Sequence, residues 1–564
     1  MTARLEHTVL SLGEHDGRVR ARLRNFQDEG FARRLWEKDP SLWKDDAEHR
    51  SIISNALGWL DLPSTMAPRA DGLKALVKDC AAAGLTDAVL LGMGGSSLAP
   101  EVMRKTFGVA EGSLDMQVLD STDPTAVLAV DRSLDLSQTV FLVSSKSGTT
   151  TETASFAAYF CDRVRRMEGR GCGRHFVAIT DAGTSLAEQA ERDSFRALFV
   201  NPGDVGGRYS ALSYFGLVPA ALIGVDVHGL LERARRMAQA CGPEVVAEEN
   251  EALILGAALG ELALAGRDKL TLVASPPIES FGAWIEQLVA ESLGKEGRGI
   301  LPVDLEPLGE PAVYAQDRVF VHLRLRGREA SHQERLLAEL DEAGHPVITI
   351  TMDDPLELGG EFLRWEIAVA AAGAVLGVDP FDQPNVQESK DNTRAVLRQF
   401  RRGGELAEEQ TGDVEESYYA GQAGLPAALK GFLGGAQPGD YVAIQAYLPP
   451  QSRTWRQLQE IRAVVRDRTR VATTLGYGPR FLHSTGQHHK GGPGTGLFLQ
   501  LTCEDRTDVV IPGEPYTFGV LKRAQALGDL QALRDHDRRV FHVSMGEDVA
   551  AGLVRLRDAV VSAK

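Results

Sequence analysis

Cysteine is scarce in this chain: five in 564 residues, at positions 80, 161, 172, 241 and 503, with no C-x-x-C pair among them. An odd count at wide spacing fits reduced thiols in a cytoplasm, mostly filling cores, rather than a disulfide framework. Long apolar runs are also missing, so no segment is expected to span a bilayer. The opening residues, MTARLEHTVL, lack the basic-then-apolar pattern of a signal peptide. Positive charge is in deficit, with 61 Lys and Arg against 78 Asp and Glu and a net charge of −17. Such a field repels nucleic acid and anionic membranes, so neither is an expected partner, and an anionic substrate would need a local cationic pocket. What is present is the composition of a globular protein, 43% apolar and 25% charged. At this length two or three domains are expected.

The most informative stretch is FLVSSKSGTTTE, residues 141–152. Phe141, Leu142 and Val143 close an apolar, β-prone run suited to a buried parallel strand. The run stops at Ser144-Ser145-Lys146-Ser147-Gly148-Thr149-Thr150, and a helical pattern follows from Thr153. A strand that passes through a hydroxyl-rich turn into a helix start is a ready anion site. The first-turn N–H groups have no intrahelical partner, and the helix dipole favours negative charge there. One Ser or Thr would suffice to cap the helix. An unbroken run of hydroxyls with one ammonium matches a phosphate, whose oxygens need several donors at once.

Around this loop the chain alternates strands and helices. Strands are expected at Ala88–Leu91, Met116–Leu119, Phe141–Val143 and His175–Ile179, each followed by a helix. A second series has strands at Leu270–Ala274, Val319–Leu323 and Val347–Ile350. Repeated βα units imply doubly wound parallel sheets with ligands at the C-terminal ends of their strands. The expected organisation is an N-terminal helical segment (1–50), a first α/β domain with the phosphate loop (51–244) and a second α/β domain (245–400). A Gly- and Glu-rich linker or excursion (401–440) and a C-terminal α/β portion (441–564) complete it. The fold class is therefore α/β, two doubly wound parallel-sheet domains with a C-terminal α/β extension.

Other segments stand at strand ends or turns. Gly92-Met93-Gly94-Gly95-Ser96-Ser97 departs from dinucleotide spacing, and Ser96 could reach the same phosphate or its sugar. Arg208, between paired glycines and small polar residues, could be a guanidinium held against a ligand or a surface arginine beside a turn. The segment LHSTGQHHKGGP (482–493) has three histidines but no carboxylate or cysteine nearby to complete a metal site, so no metal is expected.

Five segments taken together resemble glucose-6-phosphate isomerase. LGMGGSSLAP (91–100) is similar to that family's IGIGGSxLGP, and SSKSGTTTET (144–153) to its phosphate loop. VGGRYSALS (205–213) is similar to VGGRYSLWS, AESLGK (290–295) to MESNGK, and FDQPNVQESK (381–390) to FDQxGVExxK. The tail LHSTGQHHKGGPGTGLFLQL resembles the isomerase part of bacterial transaldolase/glucose-6-phosphate isomerase fusions. The resemblance implies two sugar isomerase (SIS) domains, an aldose–ketose isomerisation of glucose 6-phosphate and fructose 6-phosphate without a cofactor, and a homodimer. It implies that Ser145, Ser147, Thr149 and Thr150, with the backbone of Lys146 and help from Ser96, hold the phosphate, and that Glu291 shuttles a proton between C2 and C1. Gly207 and Arg208 would face the enediolate, and Gln383 and Lys390 would contact the sugar. A fixed guanidinium beside an oxygen gaining charge lowers the barrier, and one carboxylate on one face serves both carbons once the phosphate is anchored.

One departure concerns ring opening. Where the family places a ring-opening histidine, the stretch after Gly309-Glu310-Pro311 has Asp317. A G-Q-H segment occurs later, at 486–488, beside His489. The expectation is that the 483–490 loop supplies the missing group, His489 ahead of His488, with Lys390 as the other candidate. Alternative readings are an isomerase that also accepts mannose 6-phosphate, and a non-catalytic sugar-phosphate sensor. A transaldolase activity is not expected, because about 50 residues ahead of the first βα unit cannot form a barrel of roughly 250.

Overall fold

The computed structural model describes residues 3–4, 7–403 and 417–562. Three sheets organise the chain. The first has five strands, all parallel, in the spatial order Asp115–Leu119, Asp87–Leu91, Thr139–Ser144, Phe176–Asp181, Ala197–Asn201. Its central strand Thr139–Ser144 is buried along its whole length, as expected for a run with helices on both faces. The expected alternation therefore appears, with one more strand (Ala197–Asn201) than the apolar pattern indicated.

The second sheet is mixed. Lys269–Ala274, Leu301–Val303, Arg318–Leu325 and Val347–Met352 run parallel, and Thr8–Ser11 adds antiparallel to the edge at Val347–Met352. This corrects the reading of residues 1–50 as a helical segment only. Within it, Thr8–Ser11 is a strand that joins the sheet of the second domain, about 340 residues further on in sequence, and Ala3–Arg4 pairs with its outer side. Leu10 and Leu12 are buried there, and that non-local packing, rather than any local signal, makes the strand.

The third sheet is also five-stranded and parallel, ordered Ser417–Tyr419, Arg539–Ser544, Gly496–Thr502, Tyr441–Tyr447, Ala472–Tyr477. The C-terminal portion is thus a full sheet with its own core, built on residues such as Val442, Ile444, Leu499 and Val543. It begins earlier than expected. The strand Ser417–Tyr419 and the helix Leu425–Gly434 fall inside the span read as a linker, while 404–416 lies outside the described residues.

The first two sheets share one continuous apolar core. A second core closes the other face of the first sheet with residues from the third unit: Phe518 stacks on Phe156 at 5.8 Å, with Val509, Ile511 and Leu521 around it. Polar links reinforce the seam, with Lys522 Nζ 2.9 Å from Asp123 Oδ2 and Thr122 Oγ1 donating to Gln525 Oε1 at 2.8 Å. The helix Phe518–Asp535 is therefore pressed against the strand ends of the first sheet. No helix among the described residues is long and apolar enough to cross a membrane.

Candidate active site

The hydroxyl loop lies at the C-terminal end of Thr139–Ser144 and opens the helix Thr151–Glu168. Thr150 is the helix N-cap residue, yet its side chain makes no capping hydrogen bond. Ser145 Oγ donates to Thr150 Oγ1 at 3.1 Å, and Ser147 Oγ lies 3.0 Å from Thr149 Oγ1. The hydroxyls are thus linked to one another, and helix capping does not account for them. Ser147, Thr149, Thr150 and Thr151 line a cavity of about 150 Å³ whose other walls include Glu152, Lys390, Thr393, Leu482, His483 and Gln525. Lys390, on the helix Pro384–Gly403, brings the ammonium to this cavity.

Lys146 does not. Its Nζ pairs with Asp181 and also lies 3.4 Å from the Gly203 carbonyl oxygen, so the ammonium is turned away from the hydroxyls. The ammonium counted with the hydroxyls in the sequence is thus engaged elsewhere, which leaves Lys146 its backbone, and its carbonyl accepts from Asp181 N at 3.3 Å and helps shape the loop. Ser96 sits beneath the loop, buried, with its carbonyl accepting from Ser144 Oγ at 3.1 Å.

The Gly-rich turn under the loop is shaped by close approach. Gly94 has φ +55°, and a Cβ there would come within 2.9 Å of Gln287 Nε2 and 3.0 Å of His483 Cβ. A Cβ on Gly95 would meet the Gly207 carbonyl at 2.1 Å. Glycine at both positions lets the Gly207–Tyr209 turn and the loop carrying His483 close over the strand ends.

Glu291 lies in the last turn of the buried helix Phe281–Leu293. Its Oε2 is 3.5 Å from Arg208 NH1, and its Oε1 accepts from Gln287 Nε2 at 3.4 Å. Burial raises the carboxyl above its ordinary range, and the Arg208 guanidinium, Gln287, His483 and Lys390 oppose that rise without cancelling it. Arg208 is itself almost fully buried. It donates through Nε to Ser292 Oγ (2.7 Å), through NH1 to Gln383 Oε1 (2.6 Å), and through NH2 to the carbonyls of Pro380 (2.6 Å) and Asp382 (2.9 Å). Of the five N–H bonds of a guanidinium, four are therefore spent on the protein. The charge is rigidly placed beside Glu291, and Gln383 is held by it rather than reaching the cavity. Lys295 pins the same turn, its Nζ donating to the Asp382 carbonyl at 2.6 Å, and burial brings its pKa down to about 8.

A family model described as phosphoglucose isomerase matches residues 75–303, the span holding Ser96, the hydroxyl loop, Arg208 and Glu291. A glucose-6-phosphate isomerase of Thermus thermophilus is 30% identical over 420 residues, covering 65% of this chain and 97% of that protein. The chain belongs to the glucose-6-phosphate isomerase family. A probable glucose-6-phosphate isomerase of Haloarcula marismortui is 31% identical over 348 residues, 55% of this chain and 78% of that protein. Among solved structures, a Thermus thermophilus protein described as hypothetical superposes with a TM-score of 0.58 at 27% identity, covering 70% of this chain and 99% of that one. A Chlamydia trachomatis glucose-6-phosphate isomerase shares the fold at a TM-score of 0.55 and 20% identity, over 71% and 93% of the two chains.

The histidine expected to complete this family's site is placed elsewhere. His489 is buried among Tyr441, Phe481 and Phe498, with ring centroids 6.2, 6.0 and 5.1 Å away. Its Nδ1 is 3.3 Å from Gln445 Nε2, and burial pushes its pKa well down. His488 is equally buried, its pKa pushed down to about 3. Neither lines the cavity, so the preference for His489 is corrected: both rings are core side chains of the short helix Gly486–Gly491.

Its neighbour Gln487 joins the helices that carry Glu291 and Lys390. Nε2 donates to the Gly294 carbonyl at 3.1 Å, at the end of the Glu291 helix. Oε1 accepts from Asn385 N at 3.0 Å, at the start of the Lys390 helix. Asp317, at the place of the family's histidine, is buried just before the strand Arg318–Leu325 and does not line the cavity.

The histidine that does line the cavity is His483. Its Nε2 is 3.1 Å from Glu152 Oε1, which also accepts from Gln525 Nε2 at 2.7 Å, while its carbonyl accepts from Gln287 Nε2 at 2.9 Å. Gln287 thus ties the His483 backbone to Glu291. Burial works against the Glu152 carboxylate, but His483 and hydrogen bonding outweigh it and hold the group below its ordinary value. Glu152, Gln287 and Gln525 were missed by sequence reasoning, and His483, inside the 483–490 loop expected to supply the ring opener, was passed over for His489 and His488. Glu152 had a signal, since it directly follows the hydroxyl run in the first turn of the helix. Gln525 had none, because only tertiary docking brings residue 525 to residue 152.

Proposed function

We propose that this protein interconverts D-glucose 6-phosphate and D-fructose 6-phosphate by acid–base chemistry alone. The observation that carries the reading is a buried carboxylate, Glu291, beside a fixed guanidinium and tied through Gln287 to His483, which lines the same cavity as the loop hydroxyls and Lys390. A sugar-phosphate sensor would gain nothing from a buried carboxylate near an anionic ligand. An isomerase needs one.

In the proposed sequence, Ser147, Thr149 and Thr150, with the first-turn N–H groups, hold the phosphate, and Lys390 offsets its charge. His483, oriented by Glu152, moves a proton between the ring oxygen and O1, so the ring C–O bond breaks and C1 becomes an aldehyde. Imidazole suits this transfer because its ordinary pKa lies near neutrality. Glu291 then takes the proton from C2, and the electron pair forms the C1–C2 double bond of an enediolate. Returning that proton to C1, with transfer of the hydroxyl proton from O2 to O1, leaves the ketone at C2. The Arg208 charge favours the negative oxygens of the intermediate through the field it sets at Glu291 and the sugar.

The test is Glu291→Gln, which keeps the shape but cannot accept a proton. Turnover is expected to vanish while a phosphorylated sugar acid still binds, and wild-type-like turnover would remove the assignment. In the intact enzyme the acid limb of kcat/KM is expected above the ordinary glutamate range, because Glu291 must lose its proton to act and burial raises its pKa. We further propose that the protein is a homodimer in the cytoplasm, and sedimentation at micromolar concentration checks the assembly. All the side chains assigned here come from one chain, so turnover per chain is expected to survive dilution.

A further inference from the structure

Beside the hydroxyl loop lies a second groove, of about 720 Å³, that the proposed reaction does not use. Thr149 and Thr151 line it as well as the sugar-phosphate cavity, so the two are continuous. Its outer wall is the helix Pro384–Gly403, which presents Arg394, Arg398 and Arg401. These positions are spaced i, i+4 and i+7 and share one face, one guanidinium for each turn. Opposite them stands a single carboxylate, Glu514, 2.5 Å from Arg401. Arg394 has Asp391 at 3.2 Å on the outer surface. A chain of net charge −17 thus concentrates three cations beside its hydroxyl loop, with Arg394 bordering the sugar-phosphate cavity and Arg398 and Arg401 lying beyond it in the groove.

We propose that this groove binds the further phosphoryl groups of a linear polyphosphate whose end group occupies the hydroxyl loop. Such a ligand inhibits by excluding the sugar phosphate. The proposal rests on the phosphate-loop reading above. A hexose phosphate has its sugar directed to Glu291 and leaves Arg398 and Arg401, which line the groove alone, untouched. A second or third phosphoryl group, extending the other way, meets Arg394, Arg398 and Arg401 in turn. Planar guanidinium groups are well suited to phosphoryl oxygens.

The experiment measures inhibition of glucose 6-phosphate turnover by orthophosphate, pyrophosphate, tripolyphosphate and ATP, without divalent metal and at constant ionic strength. Tripolyphosphate is expected to compete with the sugar phosphate and to bind at least about tenfold more tightly than orthophosphate, the gain of one added charged hydrogen bond. Arg398→Glu is expected to remove that advantage while leaving uninhibited turnover unchanged, and Glu514→Gln to enlarge it. ATP stronger than tripolyphosphate would identify a nucleotide as the carrier of the chain, and ATP weaker would identify an inorganic polyphosphate. Equal inhibition by orthophosphate and tripolyphosphate, or an advantage that persists in Arg398→Glu, overturns the groove. Ser147→Ala separates the two readings: if it weakens glucose 6-phosphate binding while tripolyphosphate never shows an advantage, the loop stands and the groove falls.

Discussion

The hydroxyl loop at 144–150 and the histidine segment at 483–490 look alike as sequence, short polar stretches with glycine next to a helix, and they fold to opposite ends. In the loop, three threonines and serines face a cavity and bond mainly to one another. In the histidine segment, the conspicuous pair His488 and His489 is swallowed by aromatic packing, and the less conspicuous His483 is left at the cavity. The difference lies in what surrounds each stretch. A strand end in a parallel sheet leaves the following turn open by construction. The helix Gly486–Gly491 instead sits where three units meet, so closely that a Cβ on Gly294 would come within 2.6 Å of His488 Cα. A polar residue type states what chemistry a side chain can do, and burial decides whether it does it.

The sharpest way to break this comparison is to exchange the histidines. His483→Gln is expected to lower turnover of cyclic glucose 6-phosphate by roughly 10²–10⁴, the usual contribution of a positioned acid or base, while sparing proton exchange on an open-chain substrate. His489→Gln is expected to leave turnover near wild type. If His489→Gln is the damaging change and His483→Gln is silent, the assignment is reversed, and if neither matters Lys390 becomes the ring opener.

A smaller effect tests the loop. Ser147→Ala and Thr150→Val each remove a donor, and a hydrogen bond to a charged group carries about 1.5–3 kcal/mol, so affinity for phosphorylated sugars is expected to fall roughly tenfold or more at each. Unchanged inhibition by a phosphorylated sugar acid would return the loop to the status of a helix start.

Stability against pH separates a core histidine from a site histidine. His488 and His489 have folded pKa values below the unfolded one, so they favour the folded state fully above about pH 6.5, and that contribution is lost as pH falls. For His488, whose folded value is about 3, the loss at pH 5 is about 2 kcal/mol. The stability difference between wild type and His488→Gln, by denaturant titration, is therefore expected to change in the variant's favour by about that amount between pH 8 and pH 5. A constant difference would mean that the ring is not held neutral by burial.

The smallest expected change is at Lys146. With its ammonium committed to Asp181, Lys146→Met is expected to alter the KM for sugar phosphate less than either hydroxyl deletion does. A larger effect would show that the ammonium swings back onto the substrate.

Much of the first domain was legible because its signals are local. The run Thr139–Ser144 is apolar, ends at Ser145, and restarts as a helix, all within a dozen residues. Glu291 was legible through its motif, and the fold buries it beside Arg208. The strand Thr8–Ser11 and the strand Ser417–Tyr419 were not legible. Both are short, and they exist because a distant strand offers a free edge.

By itself the sequence determined the chemistry available: a hydroxyl-rich turn at a strand end, one carboxylate and one guanidinium in family motifs, and an α/β alternation that puts strand ends together. Tertiary structure decided which groups meet. Docking of the helix Phe518–Asp535 brings Gln525 to Glu152, and Glu152 holds His483. The physical reason is range. Hydrogen-bonding capacity and strand or helix periodicity are properties of a few neighbouring residues, whereas burial, and with it the pKa and reach of a histidine, depends on surfaces that only the folded chain brings into contact.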